Sequence, residues 1–128
     1  MNFTAYRATA INSSAGGPHE ELLERKALIE KTFPGRFNIL FSDLTFLEIM
    51  PLGVDKGHGI RRLGELYDVD PKYIMAIGDS ENDLDMLKAA GFSVAMANAG
   101  QEVKDAANYV TLSNDEDGVA AVVEKFVL

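Results

Sequence analysis

The stretch Tyr73-Ile74-Met75-Ala76-Ile77-Gly78-Asp79-Ser80-Glu81-Asn82-Asp83 decides the fold. Its first five residues are apolar without alternation, the pattern of a strand covered on both faces in a parallel sheet. Gly78 breaks the run, and the polar residues after it open a helix whose inward positions are Leu84, Leu87 and Ala90, ended by Gly91. The same rhythm continues outward. Phe92 to Met96 predicts a strand, Gln101 to Ala107 a short helix and Tyr109 to Leu112 a further strand. Asp115 to Phe126 predicts a closing helix with Val119, Val122, Val123 and Phe126 on one face. Upstream, Asp55 can cap a helix running to about Tyr67, with Ile60, Leu63 and Leu66 inward. Strands alternating with helices at this spacing imply right-handed crossovers and an α/β class with a parallel sheet.

The first part of the chain reads differently. Ser13-Ser14-Ala15-Gly16-Gly17-Pro18 has the composition of a flexible connection. Pro18 to Thr32 predicts a helix with Leu22, Ile29 and Phe33 at helical spacing and glutamates favouring its first turn. Phe37 to Phe41 and Thr45 to Met50 predict two strands joined through Ser42-Asp43. Phe3, Tyr6, Phe33, Phe37, Phe41 and Phe46 are expected to pack in this region. Pro51-Leu52-Gly53 marks the expected boundary, dividing the chain into an α+β module over 1–51 and an α/β module over 52–128.

Composition narrows the function classes. The chain has 128 residues, and hydrophobic residues at 47% with charged residues at 25% are enough for a packed core. A net charge of −8, from 20 acidic and 12 basic residues, repels nucleic-acid phosphates and anionic lipid, so neither is a partner class. No apolar run approaches the roughly 18 residues of a membrane span. With no cysteine there is neither a disulfide framework nor a thiolate metal site, and a cytoplasmic location is expected.

Chemistry concentrates at Gly78-Asp79-Ser80-Glu81-Asn82-Asp83. Asp79 is placed at the carboxyl end of a parallel strand, where open α/β sheets bind ligands. Asp83, four residues on, projects from the same side of the first helical turn. Two carboxylates without nitrogen or sulfur ligands suit a hard cation such as Mg²⁺, and the Asn82 amide can donate to a phosphate oxygen. The simpler reading is a helix N-terminus with acidic residues favouring the dipole and Ser80 with Asp83 as a capping pair. Lys56 weighs against that reading. It opens a predicted helix, where a cation opposes the dipole, so a lysine aimed at phosphate and clustered carboxylates accounts for it. His19 and His58 have no ligand spacing between them, Gly57-His58-Gly59 lacks a preceding strand, and Arg61-Arg62 reads as a solvated face.

Taken in order, four segments resemble the Cof-type phosphatases of the haloacid dehalogenase (HAD) superfamily. They are Phe46 to Gly57, Ile77 to Asp83 with Met86-Leu87, Val94 to Ala99, and Ser113 to Val119. The resemblance implies a HAD-like Rossmannoid core over 52–128, partial in extent, preceded by a remnant of an α+β cap. It further implies hydrolysis of small phosphate monoesters, of the sugar- or cofactor-phosphate class, through an aspartyl-phosphate. In this scheme Mg²⁺ is held by Asp79, with Asp83 supporting it directly or through water. Lys56 offsets the charge of nucleophile and substrate, and Asn82 contacts the substrate phosphate.

Two departures stand beside this. Ala97 replaces a usual glycine, and the family's strand ending in Asp-x-Asp, which carries the nucleophile, is not found. The pairs Asp68/Asp70, Asp83/Asp85 and Asp115/Asp117 do not follow a buried strand. The expectation is therefore a piece of a longer protein, inactive alone, whose strand ending at Ile77 would be an apolar edge. An N-terminal half of the longer protein is expected to cover that edge, or else self-association or another chain. Two other readings remain open on residues alone: a non-catalytic metal- or phosphate-binding module that pairs with another chain, and an unrelated α/β domain whose acidic loop is only a cap.

Overall fold

The structure is a computed structural model and describes residues 13–128, in two compact units divided between Asp55 and Lys56. The expected packing of Phe3 and Tyr6 lies outside the described residues.

In the first unit, β1 (Ser13–Gly16), β2 (Phe37–Asp43) and β3 (Phe46–Pro51) form an antiparallel sheet in the order β1-β3-β2, with α1 (His19–Thr32) packed on it. The register sets Ala15 opposite Leu47 opposite Phe41, and Ile39 opposite Ile49, so one face of the pleat is apolar. Leu22 from α1 packs onto that face with Ile39, Phe41 and Leu47. The Ser13-to-Gly16 stretch, read from composition as a connection, is a strand. The backbone of β3 offers it a ladder, and pairing overrides weak local propensity. Phe33 and Phe46 stay about half exposed rather than joining the core.

The second unit contains the parallel sheet β4 (Met75–Gly78), β5 (Phe92–Ala95) and β6 (Tyr109–Val110), in the order β4-β5-β6. Among the described residues, β4 has no strand on its other side. Helices α2 (Lys56–Tyr67), α3 (Leu84–Ala89), α4 (Gln101–Asp105) and α5 (Gly118–Phe126) complete it. Ile60, Ala76, Leu84, Leu87, Ala95, Ala99 and Val103 form its core. Phe126 meets Phe92 and Tyr109 edge-on, at 5.0 and 5.2 Å between ring centres. No helix among the described residues is long and apolar enough to cross a membrane.

Helix α2 departs from its expected face. Ile60 is buried, but Leu63 and Leu66 are 50% and 73% exposed, and the buried neighbours of Ile60 are Gly57 and Gly64. At Gly64 the chain leaving the helix returns closely, since a Cβ there would lie 2.6 Å from the Val69 carbonyl oxygen. Gly57, Ile60 and Gly64 are the buried positions of the helix, and its leucines are left outside. Val119 on α5 is likewise half exposed, and Val122 takes the core position.

After β6 the chain turns at Ser113, and Asn114–Glu116 form a 3-10 turn. The Glu116 carboxylate accepts from the Ser113 hydroxyl at 2.7 Å and from its N–H at 3.4 Å. The hydroxyl first, and then the N–H, hold the Glu116 carboxyl below its ordinary range.

Two outcomes test this architecture. Leu87→Ala, at a fully buried site, is expected to cost about 2–5 kcal/mol, whereas Leu66→Ala should stay within about 0.5 kcal/mol. Urea unfolding read from the β4 and β5 amides measures both. Because the folded-state value for Glu116 is lowered, its stabilising effect is present above the unfolded-state value and fades as pH falls through the folded one. Ser113→Ala should move the Glu116 carboxyl titration to higher pH, read by carbon NMR of the side chain.

Candidate active site

Parallel strands deliver their polar turns to one end of the sheet, and the site is built there. Strand β4 ends at Gly78, and Asp79 and Ser80 form the turn into the 3-10 segment Glu81–Asp83 and α3. Asn82 and Asp83 are buried, at 5% and 4% exposure, which is unusual for such polar side chains and requires partners.

Asp83 finds three. Its Oδ2 accepts from the backbone N–H of Asp79 at 2.9 Å and of Ser80 at 3.2 Å. Its Oδ1 accepts from Lys56 Nζ at 2.5 Å. Ser80 and Asp83 also form a reciprocal capping box, so the simpler helix-cap reading is correct as far as it goes. It does not account for Lys56, which is the first residue of α2 and arrives from another element. Lys56 Nζ also donates to Asn82 Oδ1 at 3.3 Å. The lysine side chain is 48% exposed while that of Asp83 is 6% exposed, so the pair runs from the interior to the solvent end of the sheet.

Gly78 makes this possible. A Cβ there would stand 2.5 Å from Asp83 Cβ and 2.9 Å from Asp83 Oδ2. Any other residue would push the carboxylate off the turn.

Asp79 is exposed, unlike its neighbours. Its Oδ1 accepts from the Ser80 hydroxyl at 3.2 Å and its Oδ2 from Asn98 Nδ2 at 3.1 Å. A carboxylate offers about four lone-pair positions. Asp79 uses two of them, so its remaining positions face solvent; Asp83 uses three. On donor chemistry Asp79 fits a direct ligand of a hard cation, while Asp83 has one position left, on Oδ1. Among the described residues no three His, Cys, Asp or Glu side chains gather into a metal cage. The oxygen donors present, Asp79 and the remaining position of Asp83, are of the kind that Mg²⁺ takes when it keeps several waters.

Of the residues singled out from sequence, the structure brings Lys56, Asn82 and Asp83 into contact and sets Asp79 beside them on the same turn. His19 lies in the first unit, bonded to the Leu44 carbonyl and set against the Phe41 ring. None of the three Asp-x-Asp pairs stands directly at the end of a strand: Asp68 and Asp70 precede the 3-10 turn Pro71–Tyr73, Asp83 and Asp85 bracket the start of α3, and Asp115 and Asp117 lie between β6 and α5. The contact of Asn98 with Asp79 was not foreseen. The available signal was its position just past the carboxyl end of β5, level with Asp79 past β4.

A sequence profile of haloacid dehalogenase-like hydrolases matches residues 3–123. A putative phosphatase of Haemophilus influenzae is 42% identical over 109 residues, covering 85% of this chain and 41% of that protein. A Bacillus subtilis 5-amino-6-(5-phospho-D-ribitylamino)uracil phosphatase is 42% identical over 81 residues, 63% of this chain and 28% of its own length. Among solved structures, a haloacid dehalogenase-like hydrolase from Bacteroides thetaiotaomicron superposes with a TM-score of 0.73 at 40% identity, covering 88% of this chain and 42% of that one. The chain thus spans about two-fifths of the length of the H. influenzae relative. With the parallel sheet, the acidic turn after β4 and a profile match over nearly all of its length, the chain belongs to the haloacid dehalogenase-like hydrolases.

Proposed function

We propose that this chain supplies part of a Mg²⁺-dependent phosphatase for small phosphate monoesters of the sugar or cofactor class, and that without a nucleophilic aspartate from elsewhere it does not turn over. The observation that carries the reading is the convergence of Lys56 on Asn82 and Asp83, beside Asp79 at the carboxyl end of β4. A buried carboxylate bound to a lysine at a strand end is an arrangement for charge handling, beyond what a helix cap requires. The ribityl phosphate in the name of the B. subtilis relative supports the substrate class.

The chain's residues divide the work. Asp79, solvent-facing, would hold Mg²⁺, with Asp83 behind it through water. When bound, the cation offsets phosphate charge and orients the transferring group. Lys56, about half exposed along its side chain and with its charge shared with Asp83, is placed to attract the substrate phosphate. Asn82, held by Lys56 at Oδ1, would be fixed for contact with a phosphate oxygen. These are positioning and electrostatic roles, which are what phosphoryl transfer chiefly asks of a protein. The covalent aspartyl-phosphate would form on a residue that these elements do not provide. We further propose that the unit over 1–51 is part of a cap domain that selects substrate, that 52–128 is part of the HAD core, and that the protein is cytoplasmic. The open side of β4 would receive another chain or segment.

The test is p-nitrophenyl phosphate hydrolysis by the chain with Mg²⁺, together with a Mg²⁺ titration followed by amide NMR. No turnover is expected, with Mg²⁺-dependent shifts at Asp79 and Ser80 that Asp79→Asn abolishes. Turnover that disappears in Asp79→Asn would show that the chain carries its own nucleophile and would sink the claim of inactivity. A titration in which Asp79→Asn matches the parent would leave the acidic turn as a helix cap only.

A further inference from the structure

We propose that Asn98 is a positioning residue for Asp79, and that through it the turn after β6 becomes part of the metal site. The inference rests on the reading of Asp79 as a Mg²⁺ ligand.

Asn98 lies in the loop after β5, between the turns that follow β4 and β6. Its Nδ2 donates to Asp79 Oδ2 at 3.1 Å, and its Oδ1 accepts from the Asn114 backbone N–H at 3.0 Å. The two partners fix the amide in one orientation, since a carboxylate only accepts and a backbone N–H only donates. The loop itself does not need this side chain. Ala97 N–H already reaches the Leu112 carbonyl and Ala99 N–H the Met96 carbonyl. Met96 N–H bonds the Gly78 carbonyl, so the three strand ends are joined by backbone as well. What the Asn98 amide adds is directed wholly outward: one end holds a carboxylate oxygen, and the other is anchored to the neighbouring turn.

The consequence for Asp79 is restriction. An exposed carboxylate on a turn would otherwise sample several rotamers, and a cation would have to select one of them. With Oδ2 held by Asn98 and Oδ1 by Ser80, the carboxylate is fixed in one orientation, and with it the remaining lone pair on each oxygen. Partners that hold a ligating group in this way commonly matter about tenfold or more in metal affinity.

Asn114 offers an independent handle, because its bond to Asn98 comes from its backbone N–H, while its side chain donates to Asp115. It is the first residue of a 3-10 turn, and Ser113 before it is extended, with φ −72° and ψ 169°. Both facts suit proline at 114, which would delete the N–H that anchors Asn98 and leave the turn intact. Asn114→Ala keeps that N–H and serves as the control.

The experiment uses the whole chain with Mg²⁺ alone as the probe. It reads the dissociation constant by amide NMR and the Asp79 side-chain rotamer by three-bond couplings in the absence of metal. Asn98→Ala and Asn114→Pro are each expected to average the Asp79 rotamer and weaken Mg²⁺ about tenfold, with Asn114→Ala unchanged in both readouts. If Asn98→Ala leaves rotamer or affinity as in the parent while Asp79→Asn abolishes binding, Asn98 is no positioning residue and only this proposal is lost. If the parent and Asp79→Asn respond to Mg²⁺ identically, the reading of Asp79 as a ligand fails and this proposal fails with it. Any spectrum showing that Asn114→Pro has lost the sheet leaves the decision to Asn98→Ala.

Discussion

The carboxylate of Asp83 is the point on which the second unit's functional end depends. Burying a charged group is costly unless it is paired and hydrogen-bonded. Asp83 meets that condition with one lysine and two backbone N–H groups drawn from different elements. Because those groups belong to α2 and to the turn after β4, satisfying one side chain also fixes where a helix starts and how a strand ends. The absence of a side chain at Gly78 is the complementary condition, since it leaves the space that Asp83 fills. An ordinary capping pair has thereby been given a charge partner, and the polar turn becomes both a structural anchor and a candidate reaction centre.

From that anchor the hydrogen bonds continue sideways across the sheet. Asp83 orders the Asp79 and Ser80 backbone, Ser80 and Asn98 order the Asp79 carboxylate, and Asn98 is held by the turn after β6. Each strand of the parallel sheet thus contributes one turn to a single network. The architecture accounts for this economy: parallel strands place all their carboxyl ends on one rim, so neighbours in the sheet are neighbours at the site. The likeness to haloacid dehalogenase-like hydrolases is consistent with a fold whose chemistry is arranged along that rim.

Much of this was legible in the residues. The polar burst after Gly78 and the regular spacing of later apolar segments carry the α/β class, whereas the apolar run before Gly78 was only partly a guide: Tyr73 ends a 3-10 turn and is 77% exposed, and the strand begins at Met75 with alternating burial. Lys56 was visible through an electrostatic misfit, a cation at a helix start. Other features were hidden for physical reasons. The face of α2 is made by Gly57 and Gly64 around Ile60, and a search for hydrophobic side chains cannot see a contact surface made by their absence. Ser13 to Gly16 has turn-like composition, and only the presence of β3 makes it a strand. Asn98 is polar and exposed, and its partners lie 19 and 16 positions away in sequence, so its place just past β5 marks the residue but not the contact it makes.

The register of the parallel sheet has a kinetic side. Met75 pairs with Phe92 and Val94 with Tyr109, each across a single short crossover. Closing such small loops costs little chain entropy, so this sheet has low contact order for a parallel arrangement. The turns that carry Asp79, Asn98 and Asn114 are the continuations of those same strands. No separate search is needed to assemble them: when the strands zip together, the rim is already in place.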